Sequence, residues 1–261
     1  MSIGFVHTPS SLRAAYDHDV AALRPAPHPV ICESDLATLP APVQRYLRVT
    51  GFVGAPRPAV VRARMHGRIR GGSSSGWMRL SAEQHNTFEP RARLFYLDAS
   101  MFGLPVRGYH RYADGHASMD IRLLGMFSVQ KASGDNLTQA ETVTLFNDMC
   151  VLAPGALLVP AIVWTTIDTR SAAASFSNAG HTISATLLFN EAGELVDFVS
   201  DDRLQTTADG RLERLRWSTP IHAYRTFGRY HLPAAAEARW HEGSGSYAYL
   251  ELTIDDVGYD T

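Results

Sequence analysis

The sequence predicts a mainly β (α+β) protein: a curved antiparallel sheet of about ten or eleven strands that forms a half-open barrel, covered by a central helix and an N-terminal helix. Most of the chain after Val60 alternates apolar and polar residues with the period of two that is typical of β-strands. Short turns rich in Gly, Asn and Asp separate these segments, as in antiparallel hairpins. Because so large a sheet curls, its concave face needs the few helical segments as a cover.

Two helices are predicted ahead of the sheet. Ser10 to Leu23 carries apolar residues at weak helical spacing after a capping residue. Ser34 to Val49 has the stronger helical pattern, and Gly51 can close it. Prolines interrupt the first part of this second segment, so the continuous helix is expected over Ala41 to Val49.

The clearest strand signals lie at the start and in the second half of the sheet. From Val60 to Arg70, small or apolar residues alternate with arginines and a histidine, which predicts one apolar face and one basic, solvated face. Asn190 to Gly193 indicates a hairpin, and Asp209-Gly210 indicates a second one between Arg203–Thr207 and Leu212–Ser218.

The central helix interrupts the strand pattern. Thr138 and Glu141 have the spacing of a capping box, in which each side chain bonds the other residue's backbone. Apolar residues then recur at helical spacing as far as Leu152, and Pro154-Gly155 follows. The predicted helix therefore covers Gln139 to Leu152.

Composition excludes several classes of protein. The 24 basic and 26 acidic side chains give a formal net charge of -2, which argues against binding to nucleic acid or to anionic membranes. A hydrophobic content of 45% allows a large core. The two cysteines, Cys32 and Cys150, have no metal-type spacing, and neither a P-loop nor a nucleophile elbow occurs. No metal and no cofactor is expected.

The ends and segments of the chain predict its organisation. Met1 to Val30 lacks a basic start followed by an apolar stretch, and no apolar run reaches the length of a membrane-spanning helix. A cytoplasmic location and no integral membrane association are therefore expected. Residues 1–33 are interpreted as a helical extension and linker, and residues 34–261 as a single half-barrel domain. The sequence leaves the oligomeric state open.

Several segments together resemble a known family. They are Leu39–Leu47, Glu141-Thr142, Phe146–Pro154, Ile162–Trp164, Leu188–Val196, Asp202-Arg203, Trp217–Pro220 and Tyr224. This set resembles an uncharacterised bacterial domain-of-unknown-function family, over roughly Leu36 to Tyr259. That family is similar in plan to the periplasmic lipoprotein carriers of the Lol system, which implies a curved antiparallel sheet wrapped around helices that holds acyl chains.

The first functional hypothesis is that the protein binds a hydrophobic or amphipathic small molecule between the curved sheet and the central helix. It depends on the strand number, the single strong covering helix and the supply of aromatic side chains. The expected ligand-binding residues are Phe95, Tyr109, Glu141, Phe146, Met149, Trp164, Trp217 and Tyr224.

The alternative hypothesis is a cofactor-free enzyme, of the cyclase, isomerase or dehydratase type, in the same cavity. Asp148 and His110 are the candidate acid/base residues, and Arg203 or Tyr224 would stabilise charge. Arg203 is also a candidate to hold a ligand carboxylate or to pair with Asp148. Matching strand positions suggest that His66, His85 and His110 converge on one sheet face. A structural or partner-binding role is the third possibility, and a large exposed apolar patch would favour it.

Overall fold

The computed structural model describes residues 11–24, 28–206, 212–243 and 245–260. Within those residues it has three α-helices and one antiparallel sheet of fourteen strands, so the predicted fold class is confirmed. The helices are α1 (Leu12–Ala22), α2 (Ala41–Val49) and α3 (Asp135–Leu152). The strands are β1 (Val60–Ile69), β2 (Met78–Phe88), β3 (Arg91–Met101), β4 (Leu104–Ala113), β5 (His116–Leu123), β6 (Phe127–Ser133), β7 (Ile162–Thr166), β8 (Ser171–Asn178), β9 (His181–Phe189), β10 (Leu195–Thr206), β11 (Leu212–Ser218), β12 (Ile221–Phe227), β13 (Tyr230–Glu242) and β14 (Gly245–Asp260).

The number of strands in the described residues exceeds the predicted ten or eleven. The edge strand β6 is exposed along most of its length, so its sequence lacks the alternation of a half-buried strand. The predicted strand Arg203–Thr207 is not separate in the structure: as far as Thr206 it belongs to β10, whose register shifts between Ser200 and Arg203. The Asp209-Gly210 turn lies outside the described residues.

The sheet order places α3 inside the half-barrel. The strands follow the order β6-β5-β4-β3-β2-β1-β14-β13-β11-β10-β9-β8-β7, and β12 pairs with β13 beside this path. The first and last strands are thus central neighbours, with Val60 opposite Asp260. Because α3 joins the two outer edges β6 and β7, it crosses the concave side and contacts β5, β9, β10 and β13.

Helix α3 begins one turn earlier than the capping box predicts. Its N-cap is Gly134, whose φ of 104° suits a residue without a side chain. Thr138 Oγ1 donates to the Gly134 carbonyl, and the side chain of Glu141 turns to an arginine of the sheet instead of the helix terminus. The capping-box prediction is therefore wrong. Within the described residues, no helix has the length and apolar character needed to span a bilayer.

Helices α1 and α2 cover different parts of the sheet. The described α2 starts at Ala41, as predicted, and Tyr46 donates a hydrogen bond of 2.7 Å to the Cys150 carbonyl near the end of α3. Helix α1 instead packs on the outer face, where Tyr16 contacts Tyr96 and Tyr109. One face of the sheet therefore supports α1, while the other encloses α3.

The arginines of β1 lie on the outer face, as the solvated-face interpretation predicts. Arg62, Arg64 and Arg68 are exposed, and each pairs with an acidic residue of β14. Exposed ion pairs of this kind contribute little to stability. The inward-facing Ala63 and Met65 of the same strand are buried in the core.

Candidate functional site

A cavity of about 170 Å³ lies between α3 and the inner face of the sheet. Most of its wall is apolar, and the apolar lining includes Met65, Leu80, Phe95, Leu97, Trp217, Leu252 and Ile254. An engineered apolar cavity of about 150 Å³ holds a benzene molecule. The space therefore suits a small ring or a short chain.

Asp148 anchors a polar patch on one wall of this cavity. Its Oδ2 accepts hydrogen bonds from Gln84 Nε2 at 2.7 Å, Asn86 Nδ2 at 3.1 Å and Arg93 Nε at 2.6 Å. All three donors are buried residues of β2 and β3, so this carboxylate ties α3 to the sheet. With three donors on one oxygen, Asp148 is a poor candidate for a free base.

Arg93 and Glu141 form the second ion pair of the patch. Arg93 Nη1 lies 3.1 Å from Glu141 Oε2, and both side chains are less than a tenth exposed. Burial alone would lower the pKa of Arg93, but the neighbouring Asp148 and Glu141 outweigh it and raise that pKa. Burial alone would raise the pKa of Glu141, but Arg93, His110 and Arg203 lower it below its usual range. Both groups are therefore charged near neutral pH.

His110 lies beside this pair as a neutral imidazole. Burial, reinforced by the positive charges of Arg93 and Arg203, lowers its pKa to about 4, and Glu141 only partly opposes that shift. His110 Nδ1 is 4.0 Å from Glu141 Oε1, and its ring meets Phe95 edge-on. A neutral imidazole offers a hydrogen-bond donor and an acceptor to the cavity.

Arg203 lies on the cavity wall without a carboxylate partner. Its Nη1 donates to Thr144 Oγ1, and its guanidinium lies over the indole of Trp217, 4.7 Å from the ring centre. No carboxylate of the described residues comes within 4.0 Å of Arg203, and its Nε is buried without a hydrogen-bond partner. Asp148 pairs with Arg93 instead of Arg203, so the cavity retains unused donor capacity.

Six of the predicted site residues line the cavity. They are Phe95, His110, Glu141, Asp148, Arg203 and Trp217. They come from β3, β4, α3, β10 and β11, which are distant in sequence and meet only because the sheet curls around the helix.

The other predicted ligand-binding residues lie outside this cavity. Phe146 and Met149 are fully buried in the core on the other side of α3, where Phe146 stacks on Phe176 and lies near Trp164. Tyr109 points to the outer face and donates a 2.6 Å hydrogen bond to Asp19 of α1. Tyr224 donates to the Leu195 carbonyl near α2.

The predicted convergence of the histidines does not occur. His85 bonds Tyr16 of α1 on the outer face, and His66 is exposed beside Asp255. His110 points inward because it is paired across the strands with Phe95. The register between strands, which the sequence does not state, decides which face each histidine takes.

The sequence prediction missed Gln84, Asn86 and Arg93. Strand parity was the available signal, because Gln84 and Asn86 have the parity of the inward-facing Leu80 and Ala82. Arg93 likewise has the parity of Phe95. Polar residues on an apolar strand face need buried partners, so this pattern indicates a polar site. Within the described ranges, no three His, Cys, Asp or Glu side chains are grouped so that they would hold a metal ion.

Comparison with protein families identifies the chain. The model of a family described as a family of unknown function, DUF6544, matches residues 29–252. The chain belongs to this family. The resemblance to a domain-of-unknown-function family is thereby confirmed. No curated protein matches the chain.

Three solved structures are similar to the chain at low sequence identity. A putative outer membrane lipoprotein-sorting protein domain from Vibrio parahaemolyticus is 9% identical, with a TM-score of 0.40, over 78% of this chain and 86% of that one. A DUF1329 family protein from Desulfovibrio piger is 8% identical, with a TM-score of 0.43, over 97% and 94%. A LolA superfamily protein from Nitrosomonas europaea is 8% identical, with a TM-score of 0.38, over 84% and 92%.

Proposed function

We propose that this protein binds a small hydrophobic or amphipathic molecule in the cavity between α3 and the sheet. The observation that carries the proposal is the cavity itself, which has a mainly apolar wall and one polar patch that includes Arg203, whose Nε has no hydrogen-bond partner among the described residues. Protein interiors are normally close-packed, and an empty space forfeits dispersion contacts. A retained space with polar groups on one side is typical of a ligand site.

A cavity-filling variant tests this proposal. Ala238 lines the cavity, so Ala238→Leu should occupy part of its volume. We expect toluene, whose single ring suits the space, to bind the wild-type protein in isothermal titration calorimetry and to bind Ala238→Leu at least tenfold more weakly. Ala21→Leu, at an exposed position of α1, is the matched control and should bind like wild type. Equal binding by all three proteins, or by none, contradicts the proposal.

His110 supports a second candidate, a cofactor-free enzyme that moves a proton within the bound molecule. Its neutral imidazole lines the cavity close to Glu141, an arrangement able to take a proton from one atom and return it to another. The test follows a metabolite extract by mass spectrometry with wild type and with His110→Gln. Turnover by wild type alone supports this candidate, and no turnover by either protein removes it.

A further inference from the structure

We infer that the cavity takes an uncharged molecule with a carbonyl oxygen, which accepts a hydrogen bond from Arg203. This inference rests on the proposed binding function and names the class of ligand. It depends on three observations: the charge balance of the cavity wall, the donors that lack partners and the size of the space.

The formal charges of the ionised groups on the inner cavity wall sum to zero. Arg93 and Arg203 carry two positive charges, and Glu141 and Asp148 carry two negative charges. His110 is neutral near pH 7. The remaining lining acid, Glu237, is neutralised outside this group because Arg239 Nη1 lies 2.6 Å from its Oε1, with His222 3.7 Å from Oε2.

A charged ligand would disturb this balance. An anionic head would leave one net negative charge in a largely desolvated space, and a cationic head would leave one net positive charge. Uncompensated charges in protein interiors are strongly unfavourable. An uncharged ligand keeps the balance that Arg93, Arg203, Glu141 and Asp148 already have.

The unused hydrogen-bonding groups define the ligand further. A guanidinium has donors only, so the partner of Arg203 must be an acceptor. A wholly apolar ligand would leave the buried Nε donor of Arg203 without a partner, which is unfavourable. Asn147 Oδ1 and Thr219 Oγ1 also lack partners, and both residues line the cavity. A head that both accepts and donates, such as an amide or a hydroxy ketone, satisfies both kinds of group.

Three ligands that share a phenyl ring and the carbon attached to it separate the effects of charge and hydrogen bonding. Toluene presents the ring alone, phenylacetamide adds a neutral head with a carbonyl, and phenylacetate adds an anionic head of the same shape. All three suit a cavity of about 170 Å³. We expect wild type to bind phenylacetamide about tenfold more tightly than toluene, as one hydrogen bond to a charged group would give. We expect phenylacetate to bind no better than toluene.

The Arg203→Met variant tests whether Arg203 causes the preference for phenylacetamide. Methionine keeps an unbranched side chain beside Trp217 but removes every donor. We expect the preference for phenylacetamide over toluene to disappear in this variant. Arg170→Met, an exposed arginine far from the cavity lining, is the control and should keep the preference.

Each outcome decides one question. Stronger binding of phenylacetate than of phenylacetamide by wild type overturns the inference, as does a preference that survives in Arg203→Met. Either result leaves cavity binding intact, because toluene still binds. If toluene does not bind wild type, the proposed function itself fails. If the Arg203→Met variant does not fold, the relative affinities of the three ligands for the wild-type protein still test the inference.

Discussion

The two sides of α3 differ although both are buried. Toward the cavity it presents Glu141, Thr144 and Asp148, whereas toward the core it presents Leu145 and Phe146. Both sides are enclosed by the curled sheet, so nearly every residue from Thr138 to Leu152 is buried. The difference teaches that, on a helix without a solvent face, the buried charged residues mark the side that faces the cavity and the aromatic residues do not.

The largest expected effect separates two leucines of α3. Leu145 is completely buried in the core, and Leu152 lines the cavity. We expect Leu145→Ala to lower the free energy of unfolding by about 4–5 kcal/mol and Leu152→Ala by about 2–3 kcal/mol, because a residue beside an existing space has fewer contacts to lose. Urea unfolding measures both. Equal losses would mean that the two sides of α3 are packed alike.

The next effect concerns the buried ion pair. Asp148→Ala leaves Arg93 without its 2.6 Å partner, and we expect a loss of about 3–4 kcal/mol in unfolding free energy. Asp256→Ala removes the partner of the exposed Arg64 on β1 and should cost about 1 kcal/mol or less. Unfolding curves of both variants provide the comparison. A loss as small for Asp148→Ala as for Asp256→Ala would show that the cavity wall is hydrated like the surface.

His110 should make part of the stability depend on pH. Its pKa of about 4 in the folded protein is below the value near 6.5 of an exposed histidine. The unfolded chain therefore gains a proton first as pH falls, and the stability is fully present above pH 6.5 and lost between about 6.5 and 4. We expect up to about 3 kcal/mol of this dependence to be missing in His110→Gln. Parallel stability curves for the two proteins between pH 7 and 4.5 would contradict the burial of His110.

The smallest expected effect belongs to Arg203→Met. No carboxylate of the described residues lies within 4.0 Å of Arg203, so its removal leaves no close acid unpaired. We expect the unfolding free energy to fall by only about 1–2 kcal/mol: the variant leaves one net negative charge on the inner wall, but Glu141 and Asp148 both keep their ion pairs with Arg93. Thermal unfolding checks this. A loss of unfolding free energy as large as that of Asp148→Ala would mean that Arg203 stabilises the fold and is not held available for a ligand.

Much of the fold follows from local pattern in the sequence. The alternation from Val60 and the restriction of α2 by its prolines both correspond to the observed elements. The start of α3 differs because the capping signal at Thr138 competes with Gly134, whose positive φ fixes the earlier start. Pairing of β1 with β14 links the two ends of the sequence, and no local pattern indicates such a pair.

The candidate site was only partly predictable, for a physical reason. An acid on an apolar helix face, a histidine and an arginine pointed to Asp148, His110 and Arg203, and all three line the cavity. Aromatic character alone selected Phe146, which fills the core, and Trp164, which packs partly buried against it, because burial and ligand contact favour the same side chains. The position of the space depends on how far the sheet curls around α3, which follows from packing across the whole molecule.

A crystal structure with bound bromobenzene tests the central claim most directly. The ring has the size of the cavity, and bromine gives an anomalous signal that marks its position. We expect one bromine site between α3 and the sheet, next to Phe95 and Trp217, and no bromine there in Ala238→Leu. A wild-type crystal with bromine bound only on the surface, or with none, would contradict the account.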